Sequence, residues 1–533
     1  MDDRLRALCD LSVASTRELA GVHSYDGVLQ DLSPAGVTAG LAALGGRTGP
    51  ALGGRAGSAL GGPAGLARPG EGSASRTTAP YDDPHDEAHT VAFEEHTRVL
   101  YGDLQWHRRN PLLHVDNLDL AGYDRDYAPA HERETAKQHH LAHWPDAIDG
   151  SIASLDAVPA PVAEACRAAV AGLAAGLDAS RSKVEAAALA AHARLVAHLD
   201  QLAEHGEPSA ALGSAGLTTF LSSADALDID LDELGRVADS ERDRLRGMLL
   251  EACGQLAPGA LAGEVVAGLL ADHPDAGGVL TEARELTREV IAWTAERKLV
   301  PHDDGECQVG PAPESRRWAM AMMSWAAPYE PDNPSWYHVT PPDPSWPAEE
   351  QQEWLAVFSR TTLPAITIHE VAPGHFSHSR ALRHAPSAVR RLLLGDAFIE
   401  GWAHYVEELA VEEGFRAHDP RFAAGVAIEA LVRVTRMACA IGLHTGAMTV
   451  ADAAARFTED AFLQGPAALS EARRGTFDPS YGRYTWGKLR ILAVRERARQ
   501  RWGAGFTLAR FHAALLDLGA PPLGLLGTAL DRG

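Results

Sequence analysis

The sequence predicts a mainly α protein, a large helical body with a cleft and at most a small β element near residues 336–340. Three observations predict it. Long Ala/Leu-rich stretches with helical spacing fill residues 90–300, such as Val184 to Leu202 and Leu280 to Leu299. Strand signals are sparse across the same region. Windows with helix start and stop residues recur over 396–414, 424–444, 450–463, 485–502 and 507–518; Thr507 is a plausible N-cap, Gly503 and Gly519 plausible stops.

Taken in order, residues 1–44 read as an N-terminal helical segment with turns, including a Ser33-Pro34 turn. Residues 45–79 are Gly, Ala, Pro, Ser and Arg with few large apolar side chains, the composition of a flexible insert. Residues 80–300 read as a helical scaffold. Residues 301–533 carry the chemistry, and 80–533 is expected to fold as one cooperative body. The Pro- and Trp-rich stretch 328–342 opens that region, and Trp336 to Thr340 has the pattern of a short strand. Tyr337 and His338 would suit an edge strand that pairs with an extended peptide.

Composition narrows the function. The 533 residues are 46% hydrophobic and 23% charged, ordinary for a globular protein. The net charge of −24 opposes nucleic acid and anionic membrane as partners. Five scattered cysteines with no CxxC pair predict reduced thiols rather than a disulfide framework. Met1 to Asp10 lacks the apolar run of a signal peptide, and no stretch reaches about 18 apolar residues. The expected setting is the cytoplasm.

The motif region reads Ile366-Thr367-Ile368-His369-Glu370-Val371-Ala372-Pro373-Gly374-His375. A hydrolytic zinc site needs neutral imidazole ligands, one more N or O ligand, an open position for water and a nearby carboxylate base. His369 and His375 supply the imidazoles, Glu370 the base, and Glu400 from a later helix the third ligand. The spacing raises an objection. Six residues rotate about 600° on a regular helix, leaving the two rings about 120° apart. Pro373-Gly374 answers it, because proline breaks the hydrogen-bond ladder and glycine admits unusual backbone angles. With 24 histidines in the chain, a bare HExxxxH arises by chance in on the order of one in ten such sequences. The apolar lead-in, the Pro-Gly break and the Glu-bearing helix add the specificity.

His369-Glu370-x-x-Pro-Gly-His375, followed by Glu400-Gly401-Trp402-Ala403-x-Tyr405-x-Glu407, resembles the peptidase-like family called domain of unknown function 885. Arg433, Arg436 and Gly442-Leu443-His444 resemble its next helix. Tyr484-x-x-Gly487-Lys488-Leu489 and Phe511-His512 resemble later blocks. The chain departs from the family at Phe376 and Ala440, where histidine and aspartate are usual, and at His378, where glutamine is. The resemblance implies a zinc metallopeptidase with a glutamate as third ligand, acting on short peptides. It also implies a downstream tyrosine, Tyr484 with Tyr481 as rival, that donates to the oxyanion.

Further candidates follow. His404 and Glu407 would orient ligands; a solvated helix face is the competing reading. Arg433, Arg436 and Lys488 could hold a substrate carboxylate, against surface ion pairing. His444 and His512 would approach the substrate or serve packing. His378, nine residues from His369, falls on the opposite helix face. His139, His140 and His143 read as a solvated face. Zinc is the expected cofactor, with other divalent ions admissible. Hydrolysis of another small amide or ester, and a non-catalytic helical binding protein, are the competing functions.

Overall fold

A computed structural model of the protein describes residues 1–44, 81–313, 316, 320–330 and 332–533. The insert expected at 45–79 lies outside the described residues. The architecture is mainly helical with one small sheet. Eleven helices matter for the site and are labelled in chain order: α1 (Pro111–Leu118), α2 (Gly213–Asp225), α3 (Leu231–Leu256), α4 (Gly278–Arg297), α5 (Leu363–Glu370), α6 (His375–His384), α7 (Asp396–Glu412), α8 (Pro420–Thr445), α9 (Gly465–Phe477), α10 (Arg483–Trp502) and α11 (Leu508–Leu516). No helix among the described residues is long and apolar enough to cross a membrane.

The sheet has three strands, β1 (Cys307–Gly310), β2 (Ala321–Ser324) and β3 (Ser335–Val339), in the order β1-β3-β2. The expected strand is β3, and it is central. It pairs parallel with β1 and antiparallel with β2. Tyr337 and His338 therefore do not lie on an edge, because both sides of their backbone are already bonded. The strands β1 and β2 escaped the sequence reading because each is four residues long and finds its partner outside its own segment. Tyr337 anchors the sheet to α5, its hydroxyl 3.3 Å from Thr367 Oγ1.

Local chemistry explains several helix starts. Ser33-Pro34 starts a helix rather than a turn: the Ser33 hydroxyl accepts from the Gly36 N–H at 3.1 Å and Pro34 occupies the first turn. Pro364 likewise sits in the first turn of α5, whose eight residues are all buried. A helix apolar on every face belongs inside a core, and here it carries His369 and Glu370 into one. Helices α3 and α8 pack together, as do α7 and α10.

The second pair crosses glycine on glycine. A Cβ on Gly401 would lie 2.5 Å from Gly487 Cα, and one on Gly487 would lie 2.1 Å from the Ala397 carbonyl. That contact brings Glu400 of α7 close to Tyr484 of α10. The main apolar core runs from α3 to the C-terminus and encloses this crossing, with Phe398, Trp402 and Ile491 in it. A second core joins Leu118 to the helices of 130–205, and a third packs the N-terminal helices onto Val389, Leu392 and Leu393.

Candidate metal centre

Helix α5 ends at Glu370, the chain passes through a cis Ala372–Pro373 bond, and α6 begins at His375. Two helices with a sharp corner replace the single regular helix on which the rings would diverge. Gly374 is required there by close approach rather than by φ: a Cβ would stand 1.8 Å from the His369 carbonyl oxygen and 2.4 Å from that of Ile368. Trp402 of α7 donates from Nε1 to the Pro373 carbonyl at 2.9 Å, which ties the corner to the helix bearing Glu400.

The three proposed ligands meet. Nε2 of His369 lies 3.4 Å from Glu400 Oε2, and Nε2 of His375 lies 3.5 Å from the same oxygen. The two rings are 4.8 Å apart at 88°. Tetrahedral bonds of about 2.0–2.2 Å place ligand atoms about 3.3–3.6 Å from one another, so the spacing fits one ion among them. Glu400 Oε2 and Glu370 Oε2 are buried without a hydrogen-bond partner. Orphaned atoms of this kind call for a missing partner, and this donor set suits a divalent cation. Burial pushes the Glu370 carboxyl up from its ordinary value. Burial and Arg433 disfavour a charged His369, but Glu400 and Glu407 outweigh them and lift it to about 9. The pocket is thus electrostatically set for positive charge.

A buried network orients His369. Its Nδ1 is 2.6 Å from Glu407 Oε1, which turns Nε2 toward Glu400 and His375. Glu407 Oε2 accepts from Arg433 Nη1 at 3.0 Å and lies 3.4 Å from His404 Nδ1. Burial opposes charge on Glu407, yet Arg433, His404 and His369 together hold its carboxyl well below the usual range. Burial pushes His404 down to about 4, so it is neutral. These two residues of α7 are buried, not a solvated face. Glu407→Gln is expected to weaken metal binding by about 10–100-fold, measured by competition with a chelator; unchanged affinity would remove Glu407 from any positioning role.

Tyr484 lies beside the ligands, its ring 6.4 Å from that of His369. Arg433, Arg436 and Arg483 stand 5.9, 5.3 and 5.4 Å from the Tyr484 ring centre. Most of the other candidates are engaged elsewhere. Tyr481 is fully buried and its hydroxyl donates to Glu471, which also takes Arg436 through Nε and Nη2 at 2.7 and 2.8 Å. His512 lies 2.6 Å from the Leu299 carbonyl and 2.9 Å from the Tyr405 hydroxyl. His444 is buried with neither ring nitrogen hydrogen-bonded. His378 turns to the Gly519 carbonyl at 3.3 Å, and burial pushes it down to about 3. His140 is buried against the Tyr123 hydroxyl at 2.9 Å, so the 139–143 run is not wholly solvated.

Lys488 is fully buried and bonds Glu241 at 2.5 Å and Glu408 at 2.7 Å. It is neither a surface ion pair nor free for substrate. Lys488→Met leaves both carboxylates at a buried junction with Arg244 alone. The expected cost is about 3–5 kcal/mol of stability, read by denaturant unfolding; a loss under about 1 kcal/mol would show that Arg244 suffices.

A second group that could hold a cation, His302, Asp304 and His384, lies at the surface. Its two rings stack in parallel 4.0 Å apart, and Asp304 already lies 3.4 Å from Arg383.

A family described as a bacterial protein of unknown function (DUF885) matches residues 102–530. No curated protein matches the chain. Solved structures share the fold, among them the following two. One, described as "a putative lipoprotein of unknown function" from Shewanella oneidensis, is 19% identical with a TM-score of 0.73, covering 98% of this chain and 96% of that one. The other, a "putative lipoprotein" from Colwellia psychrerythraea, is 16% identical with a TM-score of 0.75, covering 99% and 97%. At such identities the likeness speaks for the fold.

Proposed function

The chain belongs to the DUF885 family, and on that premise we propose that it is a metal-dependent hydrolase that cleaves peptide bonds of short peptides. In this reading His369, His375 and Glu400 hold zinc in the manner of metallopeptidases whose third ligand is glutamate. One observation carries it: one carboxylate oxygen stands 3.4 and 3.5 Å from two imidazole Nε2 atoms, on three helices, beside an unpartnered, buried Glu370 oxygen.

A bound ion would supply Lewis acidity, bringing the pKa of water near about 7. Glu370 takes the proton from the attacking water and returns it to the leaving amine. Tyr484 donates a hydrogen bond to the oxygen that gains charge on the carbonyl carbon. Glu407, held by Arg433, keeps the His369 ring in one tautomer and one orientation. Trp402 and Gly374 hold the corner that keeps His375 in place.

The test is metal analysis with activity. The protein equilibrated with zinc and then desalted is expected to retain about one ion per chain, and His375→Ala to retain almost none. Turnover of a quenched-fluorescent peptide library should vanish with a chelator and return with zinc. A protein that stays metal-free, or peptides that stay intact, would overturn the proposal; cleavage of small amides or esters alone would redirect it to them. A reducing compartment is supported by five cysteines, none in a disulfide. The neighbours' description as lipoproteins pulls toward the cell envelope, and fractionation decides between the two.

A further inference from the structure

A hollow of about 360 Å³ lies beside the metal centre, between the N-terminal helices and α7, α8 and α10. Its size is that of a small-ligand pocket, about 300–1,000 Å³. The proposed chemistry does not use it. Asp396, in its wall, stands four residues before Glu400 on α7, so the two side chains share a helix face about 5–6 Å apart at Cβ. The two carboxyls also repel each other electrostatically. The hollow is therefore next to the ligands.

Much of the wall is apolar, with Phe93, Leu100, Phe220, Met437 and Trp486 in it. Most of its polar groups are matched. Asn117 bonds both the N–H and the carbonyl of Gln30, at 2.8 and 2.9 Å. The Tyr101 hydroxyl donates to the Leu11 carbonyl at 3.2 Å. Arg483 grips both oxygens of Asp478, at 2.7 and 2.9 Å. His96 lies 3.0 Å from the Ser223 hydroxyl and burial pushes it down to about 4, so it is neutral.

Two carboxylates are different. Asp116 of α1 and Asp396 both line the hollow and are exposed within it. Neither has a hydrogen-bond partner among the described residues. The cations that act on them are already held: Arg483 by Asp478, and Arg316 by Glu18 and Asp119. Burial, with repulsion from Asp119 and Glu18, pushes the Asp116 carboxyl up to about 7. Burial pushes Asp225, in the same wall, up to about 7 as well. Two unpaired carboxylates in one wall repel each other, and a cation between them would relieve that repulsion.

We propose that this hollow is a recognition subsite for a cationic group on an apolar stem, a lysine or arginine side chain or a comparable alkylammonium, with Asp116 and Asp396 as its counter-ions. As a specificity pocket it rests on the hydrolase reading; as a binding site it stands by itself. The methylenes lie along the apolar wall while the charged head reaches the two carboxylates. An anionic group is repelled, and a neutral one of the same length leaves both carboxylates unpaired.

The test uses n-hexylammonium, n-hexanol and hexanoate as probes of the full-length protein, by calorimetry near about pH 8, above the value of about 7 to which Asp116 is raised. Hexylammonium is expected to bind at least about tenfold tighter than hexanol, and hexanoate not at all. Asp116→Asn and Asp396→Asn should each erase most of the advantage of the ammonium. Equal binding of ammonium and alcohol, or no binding of the ammonium, overturns the subsite, and that comparison needs no variant to fold. Peptides differing only in lysine against norleucine separate the two readings. Turnover without preference sinks the specificity role and leaves the hydrolase; ammonium binding without any turnover sinks the hydrolase and leaves the subsite.

Discussion

Glu370→Gln is expected to lower peptide turnover by about 10²–10⁴-fold while leaving metal content and unfolding midpoint unchanged. The reasoning starts from shape. Glutamine fills the same buried volume, so packing at the end of α5 is kept. Glu370 is not among the three converging ligand atoms, so the ion stays. What disappears is the acceptor: the Oε2 atom that is buried and free of hydrogen bonds becomes part of an amide that takes up no proton. Steady-state rates on wild type and variant, with metal content measured on the same samples, check this. A variant that turns over at the wild-type rate removes Glu370 from the proton path, and one that loses its metal shows that the side chain supports the ligands instead.

Gly374→Ala carries the second large effect, and it tests the geometry rather than the chemistry. The added methyl would meet two backbone carbonyls of α5, those of His369 and Ile368, at 1.8 and 2.4 Å. Main-chain atoms within a buried helix cannot step aside as a flexible side chain would. Either α5 or the start of α6 must shift, and both carry an imidazole ligand. The expected outcome is a loss of about 3 kcal/mol or more in stability, with zinc retention falling together with it. Denaturant unfolding and metal analysis of the same preparation decide. A variant with wild-type stability and one ion per chain would show that the corner has slack that the close contact denies.

How much of the site could be read beforehand depends on how local its determinants are. The helix of His369, the break at Pro373-Gly374 and the helix of Glu400 are each written in a few adjacent residues. Helix periodicity, a ring with no N–H and a residue with no Cβ act within one or two turns. Glu407 and His404 were open to two readings because both share a helical stripe with Glu400. Only the position of Arg433, on another helix, makes that stripe a buried network. Asp396 had a signal, since it stands one turn before Glu400 on the same face. Asp116 had none: it belongs to a helix that meets the site only after the chain has folded back.

The linear order of residues therefore determined the fold class, a short strand near 336–340 and the candidate ligands, because each depends on periodicity or a short motif. Tertiary structure alone decided that β3 is covered on both edges, that Lys488 neutralises Glu241 and Glu408, and that Arg436 is spent on Glu471. The physical reason is that a charged side chain inside a protein takes its role from whichever opposite charge the packing brings within about 4 Å, and chain order does not encode which one that will be.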